Sequence, residues 1–394
     1  MTDVAIVGAG PAGTSLALQL ARSGCDVTIL ERRVFPRTKV CGEYLAGGAR
    51  SALSDLSIED RALRGAHPIR SISLSAFGSE PVRLRLPSPG AVSLERAVLD
   101  SRLLEAALAA GASLKQGSFM RSSERSLSNR ARKTGRSSSN GLVDVVYRDE
   151  HGAERSLSAR VLVGADGAWS AVAQRNGMAK PGAGGRWAVG GHLEGQTDSD
   201  ELEMYVGPGG YYARNPLSAT VVNSMLVLPR PAQASEAEAA VATITSGRRR
   251  FEADALQRRV AIGPLRYAAE HLCARRTILT GDAAGLLDPF TGQGVSCALR
   301  LSFSAAETIA GLLAGGRPER LAARYAAEWR RAVGMRKVLS FLIDALMRNG
   351  ALRRRAHAKV RQDPSIAEAM LAAISGYAPI GAALSPGLLW RLLA

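Results

Sequence analysis

The chain has 394 residues and a formal net charge of +16, with 46% hydrophobic and 5% aromatic residues. That length buries a large core, and the four scattered cysteines (Cys25, Cys41, Cys273, Cys297) exclude a disulfide framework or a zinc site and suit a reducing cytoplasm. Only six of the 51 basic residues are lysines; the arginine excess reads as a solvated surface, and the scarcity of aromatics argues against a nucleic-acid partner.

Asp3 stands where a signal peptide carries positive charge, and no apolar run is long enough to span a membrane. Residues 4–7 form an apolar strand that runs into Gly8, Gly10 and Gly13. Residues 11–22 form a helix ended by Gly24, and residues 27–30 a second strand that finishes at Glu31. This is the dinucleotide-binding strand–helix–strand pattern with its terminal acid. Gly8 serves the tight turn, Gly10 the approach of a pyrophosphate, and Gly13 the close packing of helix on strand. The helix N-terminus offers free N–H groups to phosphate, and Glu31 accepts hydrogen bonds from a ribose.

A loop follows from residue 32 and leads to a helix near 49–56. Residues 69–76 and 82–86 alternate as strands. Residues 94–110 form a helix closed by Gly111, and 113–117 a short strand. The serine- and arginine-rich stretch 120–140 reads as a mobile loop, with a polyanion-binding loop as the alternative. Strands follow at 142–148 and 160–164, then a helix to about 177. Residues 187–193, 202–206, 211–214 and 221–228 read as an antiparallel sheet over a substrate cavity. Helices are expected at 235–246 and 250–257, a strand at 276–279, and a long helix over 292–313. Residues 318–394 are helical, with breaks near Gly350, Pro364 and 376–379.

Three stretches carry the chemistry. The first is the Gly8–Glu31 unit. The second is Ala165, Asp166, Gly167 and Ala168 after a strand. The third is Gly281 and Asp282, followed by Asp288, Pro289, Gly292 and Gly294, where a strand end offers a carboxylate and a helix N-terminus offers its dipole. In this order the three resemble the flavoprotein superfamily of aromatic hydroxylases (group A flavin monooxygenases), which also holds flavin-dependent halogenases and geranylgeranyl reductases. The likeness covers about residues 1–315.

The resemblance implies an α/β fold: a Rossmann-like FAD-binding domain of glutathione-reductase type, an inserted mixed β-sheet substrate domain and a C-terminal helical region. Its boundaries are 1–66, 90–180 and 272–315 for the FAD domain, 67–89 and 181–271 for the substrate sheet, and 316–394 for the helices. It implies FAD as cofactor, NADH or NADPH as reductant, and cofactor contacts at Gly8, Gly10, Pro11, Ala12, Gly13, Glu31, Arg32, Cys41, Gly42, Arg96, Asp166, Gly167, Gly281, Asp282, Pro289, Gly292 and Gly294. No metal site is expected.

The loop Lys39-Val40-Cys41-Gly42-Glu43 is similar to the Lys-x-Cys-Gly-Gly of the geranylgeranyl-reductase branch, with Glu43 at the second glycine. It implies a flavin-side, catalytic position for Cys41, whose alternative is a small buried residue. Of that branch's Tyr-x-Trp-x-Phe-Pro motif, Tyr211 and Pro216 are present. The halogenase lysine and Trp-x-Trp-x-x-Pro are absent. The favoured expectation is an FAD-dependent monooxygenase that hydroxylates an apolar aromatic or polyketide-like molecule through a flavin C4a-hydroperoxide. The alternatives are a reductase of isoprenoid double bonds and a non-catalytic flavin-bound membrane or nucleic-acid binder. His67 and His192 read as structural. The apolar and basic residues from Val338 through Leu346 and Met347 to Arg355 read as helices packed on the cavity, with peripheral membrane contact as the alternative.

Overall fold

A computed structural model describes residues 1–125, 141–180, 185–195, 197, 199–286 and 289–393. The expected loop beyond residue 125, and Asp288, lie outside the described residues, as do the side chains of Leu346 and Met347.

The first sheet is built on Thr2–Val7, which pairs in parallel with Val27–Glu31 on one side and Glu154–Gly164 on the other. Ser113–Arg125 continues it beside Val27–Glu31, and Thr277–Leu279 beside Glu154–Gly164. The inner strands are buried on both faces, which is why they read as unbroken apolar runs. Helices Pro11–Arg22, Arg96–Ala109 and Gly294–Leu313 cover one face, with Leu16, Leu99 and Leu299 fully buried between. The other face packs against Val143, Val145, Tyr267 and Trp329.

Two strands are longer than expected. Ser113–Arg125 and Glu154–Gly164 run past the parallel sheet and join Leu142–Asp149 in an antiparallel meander. Residues 120–125, expected in a loop, are therefore strand. Their side chains are mostly exposed, so no apolar alternation marks them.

The second sheet has seven strands in the order Gln257–Ile262, Trp187–Glu194, Val221–Leu228, Gly210–Pro216, Glu201–Gly207, Ser71–Ala76 and Val82–Arg85. All its pairings are antiparallel except that of Ser71–Ala76 with Glu201–Gly207. The helix Ala234–Thr245 packs on one face through Val241 and Ile244, over Tyr205, Tyr212 and Leu226. The helix expected at 250–257 is not formed. Phe251, Ala253 and Leu256 instead bury as an irregular turn against that core, and the chain enters a strand at Gln257. Burial of three apolar side chains among arginines outweighs a helical stretch that had no apolar stripe of its own.

A third, small sheet joins Tyr44–Leu45, Ala91–Ser93 and His67–Ile69. The C-terminal helices are Pro318–Arg348, Gly350–Gln362, Ser365–Ile374 and Pro386–Leu393, with breaks where glycine and proline predict them. Ala356, Val360, Ile366, Leu388 and Leu392 pack on Val82 and Leu84, so this region closes over the edge of the second sheet.

The first turn has little room. A Cβ on Gly13 would lie 2.0 Å from the Gly8 carbonyl oxygen, and one on Gly8 2.4 Å from that of Ala165. Gly13→Ala is expected to cost about 1–3 kcal/mol of stability through this overpacking. Denaturant unfolding checks it: the midpoint should fall with the slope unchanged, and an unaltered midpoint would show that helix and strand separate freely.

Candidate active site

A cavity of about 440 Å³ lies between the two large sheets. At one end it is bordered by Gly10, Pro11 and Ala12 of the glycine turn, by residues 39–44, and by Arg96, Gly167, Asp282, Gly292 and Gly294. At the other end the walls are Leu74, Val82, Leu84 and Leu202 of the second sheet and Val360, Met370, Leu371 and Leu392 of the C-terminal helices.

The glycine turn has the form that a dinucleotide needs. No side chain caps the helix Pro11–Arg22, so its first N–H groups and dipole face the cavity. Gly10 keeps that approach open; the nearest atom to a Cβ there would be an Arg37 guanidinium nitrogen at 3.6 Å. Glu31 is 7% exposed; its Oε2 accepts the Ala9 N–H at 2.8 Å and its Oε1 the Arg33 N–H at 2.9 Å. Each oxygen retains a lone pair for a hydroxyl. Arg37 lies within 3.9 Å of Glu31 and 3.2 Å of Asp100, and its buried Nε has no hydrogen-bond partner. Asp282 reaches the cavity at the end of Thr277–Leu279, and Gly292 and Gly294 lead into the helix Gly294–Leu313. These residues fit FAD: the N-terminal turn for the pyrophosphate, Glu31 for the adenosine ribose, and Asp282 for the sugar-alcohol chain.

The loop 39–43 is clamped from three sides. Glu43 adopts φ 56, a conformation that favours glycine, yet its carboxylate is only 5% exposed. Its Oε1 accepts the Arg96 backbone N–H at 2.8 Å. Its Oε2 takes hydrogen bonds from Asn223 Nδ2 at 2.9 Å and His192 Nε2 at 2.7 Å. A carboxylate only accepts, so Nε2 of His192 carries the hydrogen. Asn223 Nδ2 also donates to the Cys41 carbonyl at 2.8 Å, and Asn215 Nδ2 to that of Gly42 at 2.8 Å. Asn215, Asn223 and His192 face one another across three adjacent strands and form a polar row under the loop. The Cys41 Sγ accepts the Glu43 N–H at 3.3 Å.

Arg96, at the start of its helix, is 5% exposed and binds Asp100 through Nε and Nη2, both at 3.0 Å. Burial works against its charge, but Asp100 and then Cys41 hold the guanidinium firmly protonated. Burial, and then the charge of Arg96, pushes the Lys39 amine below its ordinary value. The cations of this end, Arg37, Lys39 and Arg96, stand among the carboxylates of Glu31, Glu43, Asp100 and Asp282, and the free N–H groups of the glycine-turn helix are what suit a pyrophosphate.

Of the sequence candidates, Gly10, Pro11, Ala12, Cys41, Gly42, Arg96, Gly167, Asp282, Pro289, Gly292 and Gly294 line the cavity. Gly8, Gly13 and Gly281 act one layer back, by close packing. Asp166 does not line it. Its carboxylate caps the short helix Ala171–Arg175, accepting from Ser170 Oγ at 2.5 Å and from the Ala171 N–H at 2.7 Å. Arg32 is exposed and lies outside the lining. His67 bonds the Ser199 carbonyl away from the site, while His192, read as structural, belongs to the clamp. Asn215 and Asn223 were missed. Their signal is two asparagines in mostly apolar strands, where that residue is disfavoured unless it has a partner.

Fold and cavity together define a flavin-dependent oxidoreductase. A family model described as an FAD binding domain matches residues 1–340, and the chain belongs to that family. It is 29% identical over 335 residues to menaquinone reductase of Mycobacterium tuberculosis (strain ATCC 25618 / H37Rv), covering 78% of this chain and 76% of that one. It is 29% identical over 316 residues to digeranylgeranylglycerophospholipid reductase 2 of Methanopyrus kandleri, covering 75% and 74%. The solved structure of the flavin-dependent brominase Bmp2 superposes with a TM-score of 0.78 at 21% identity, over 95% of this chain and 93% of that one. Aromatic hydroxylases share this fold as well.

Two variants test the site. Glu43→Gly removes an unfavourable backbone conformation but leaves three donors unpaired; it is expected to lower stability by about 1–3 kcal/mol net, read as a drop in melting temperature. An unchanged or raised melting temperature would show that the carboxylate ties nothing. Asp282→Ala is expected to weaken FAD binding about ten- to a hundred-fold, the loss of one charge-assisted hydrogen bond. Flavin fluorescence titration checks it, and unchanged affinity would remove Asp282 from the cofactor site.

Proposed function

We propose that the protein reduces a carbon–carbon double bond in a long aliphatic, isoprenoid-like molecule, with NADH or NADPH as the source of electrons. The observation that carries this reading is the cavity wall. It runs from the cofactor end under the C-terminal helices and is lined mainly by Ile, Leu, Val and Met side chains; among the described residues Tyr44, Tyr211, Phe290 and the His357 imidazole give it aromatic rings. An aliphatic wall suits a flexible chain, whereas a flat ring system gains more from aromatic partners. The two reductases above support it, since the name of one specifies a prenyl-chain lipid as its substrate.

FAD, when bound, would relay a hydride from NAD(P)H to the substrate; the double bond gains that hydride and one proton, and NAD(P)H leaves as NAD(P)⁺. The chain's own residues position and shield. The glycine turn and the Arg37–Arg96 region hold the phosphates, and the clamped loop sets Cys41 and Gly42 between cofactor and substrate. The apolar walls exclude water. Glu43, which borders the cavity, accepts the hydrogen of His192 Nε2 through its Oε2, so the proton of this pair sits on the imidazole. Hydroxylation is the second reading. It is favoured by Tyr211 and Phe290, packed edge-on with centroids 5.2 Å apart, a contact suited to a substrate ring.

Turnover without oxygen separates the two. With NADH or NADPH and geranylgeraniol or menaquinone as probes under anaerobic conditions, the expected product is two hydrogens heavier than the probe. Products that form only with oxygen present and carry one added oxygen atom would replace the reductase reading with the hydroxylase one.

A further inference from the structure

We infer that the C-terminal half of the helix Pro318–Arg348, with the turn into Gly350–Gln362, docks on an anionic phospholipid surface. Two independent features meet there. The first is charge. Residues 329–362 hold ten arginines and lysines against a single acid, Asp344. Arg330, Arg331, Lys337, Arg348, Arg354 and Arg355 are exposed. The second is apolar exposure. Val338, Phe341 and Leu342 are 49%, 71% and 40% exposed, and Met335 and Leu352 flank them at 37% and 41%. At helical spacing, positions 335, 338, 342 and 345 fall on one stripe.

Large apolar side chains left in water beside a field of arginines are the pattern of a helix that lies in a membrane interface. No helix among the described residues is long and apolar enough to cross a membrane, so this one lies on the surface. Charge selects the occupant. An isologous dimer through this face would set arginines against arginines in a chain of net charge +16, whereas anionic headgroups neutralise them. Near such a surface each basic residue adds an attraction that fades within a Debye length.

The place also fits the cavity. The helix Gly350–Gln362 has two faces: Ala356, His357 and Val360 line the cavity, while Leu352, Arg354 and Arg355 face out. A wall shared by the cavity and the docking face gives an apolar substrate a route that avoids bulk water. The docking does not depend on which reaction the cavity performs, so its test stands apart from the turnover experiment.

The test is co-sedimentation of the FAD-loaded protein with vesicles of phosphatidylcholine alone or with a third of phosphatidylglycerol. The expected result is binding to the anionic vesicles only, weakened by high salt. Phe341→Glu, at an exposed position where the fold is indifferent, is expected to weaken it about ten-fold, and Arg354→Gln with Arg355→Gln by a similar factor. Flavin content and circular dichroism of each variant report folding, so a loss of binding with both intact supports the inference. Binding that ignores lipid charge or these substitutions would overturn it. So would no binding, self-association lost on Phe341→Glu without vesicle binding, or stronger retention by duplex DNA than by the vesicles.

Discussion

One buried carboxylate joins the two halves of the site. Glu43 reaches the N-terminus of the Arg96 helix with one oxygen and the second sheet, through Asn223 and His192, with the other. A backbone that favours glycine is tolerated there because three donors compensate it. Without that tie the loop 39–43 would be held to the cavity sheet by the two asparagine amides that bind its carbonyls and by the packing of Val40. The placement of Cys41 depends on it, and so does the junction at which cofactor and substrate meet.

The cavity changes character along its length in a way the chain's chemistry explains. Arg37 and Arg96, both paired with Asp100, border the uncapped helix N-terminus of the glycine turn, where a dianionic pyrophosphate belongs. The row Asn215, Asn223 and His192 ends the polar part. Beyond it, the second sheet offers Met225, Val227, Leu202 and Met204, and the C-terminal helices close the space from above. Binding energy for an apolar molecule is thus concentrated away from the cofactor, and the end near it is held rigid by hydrogen bonds. Aromatic hydroxylases of known structure share this fold, and a fold alone does not name the reaction.

The cofactor half was legible in the sequence because its constraints are local. Gly8, Gly13 and Gly281 stand where any side chain would strike a neighbour within 3 Å, and Glu31 and Asp282 sit at strand ends. The buried parallel strands read as apolar runs for the same reason. The rest depends on distant contacts. Residues 120–125 of the meander are mostly exposed and lack alternation, so they read as loop. Phe251 and Leu256 gave up a helix for burial against a sheet formed by residues some thirty to sixty positions away. Asp166 shows a motif residue used differently from its expectation: a helix of five residues takes its oxygens. The Glu43 clamp brings position 43 to positions 192 and 223, a pairing that no local pattern announces.

The central claim is that the glycine turn, Glu31, Asp282 and the Gly294 helix together hold FAD. Titration of the flavin-free protein with FAD and with FMN, followed by quenching of flavin fluorescence, tests it most directly. One equivalent of FAD should bind, and FMN, which lacks the adenosine and one phosphate, should bind far more weakly. Equal affinity for the two, or no binding of either by folded protein, would contradict the assignment.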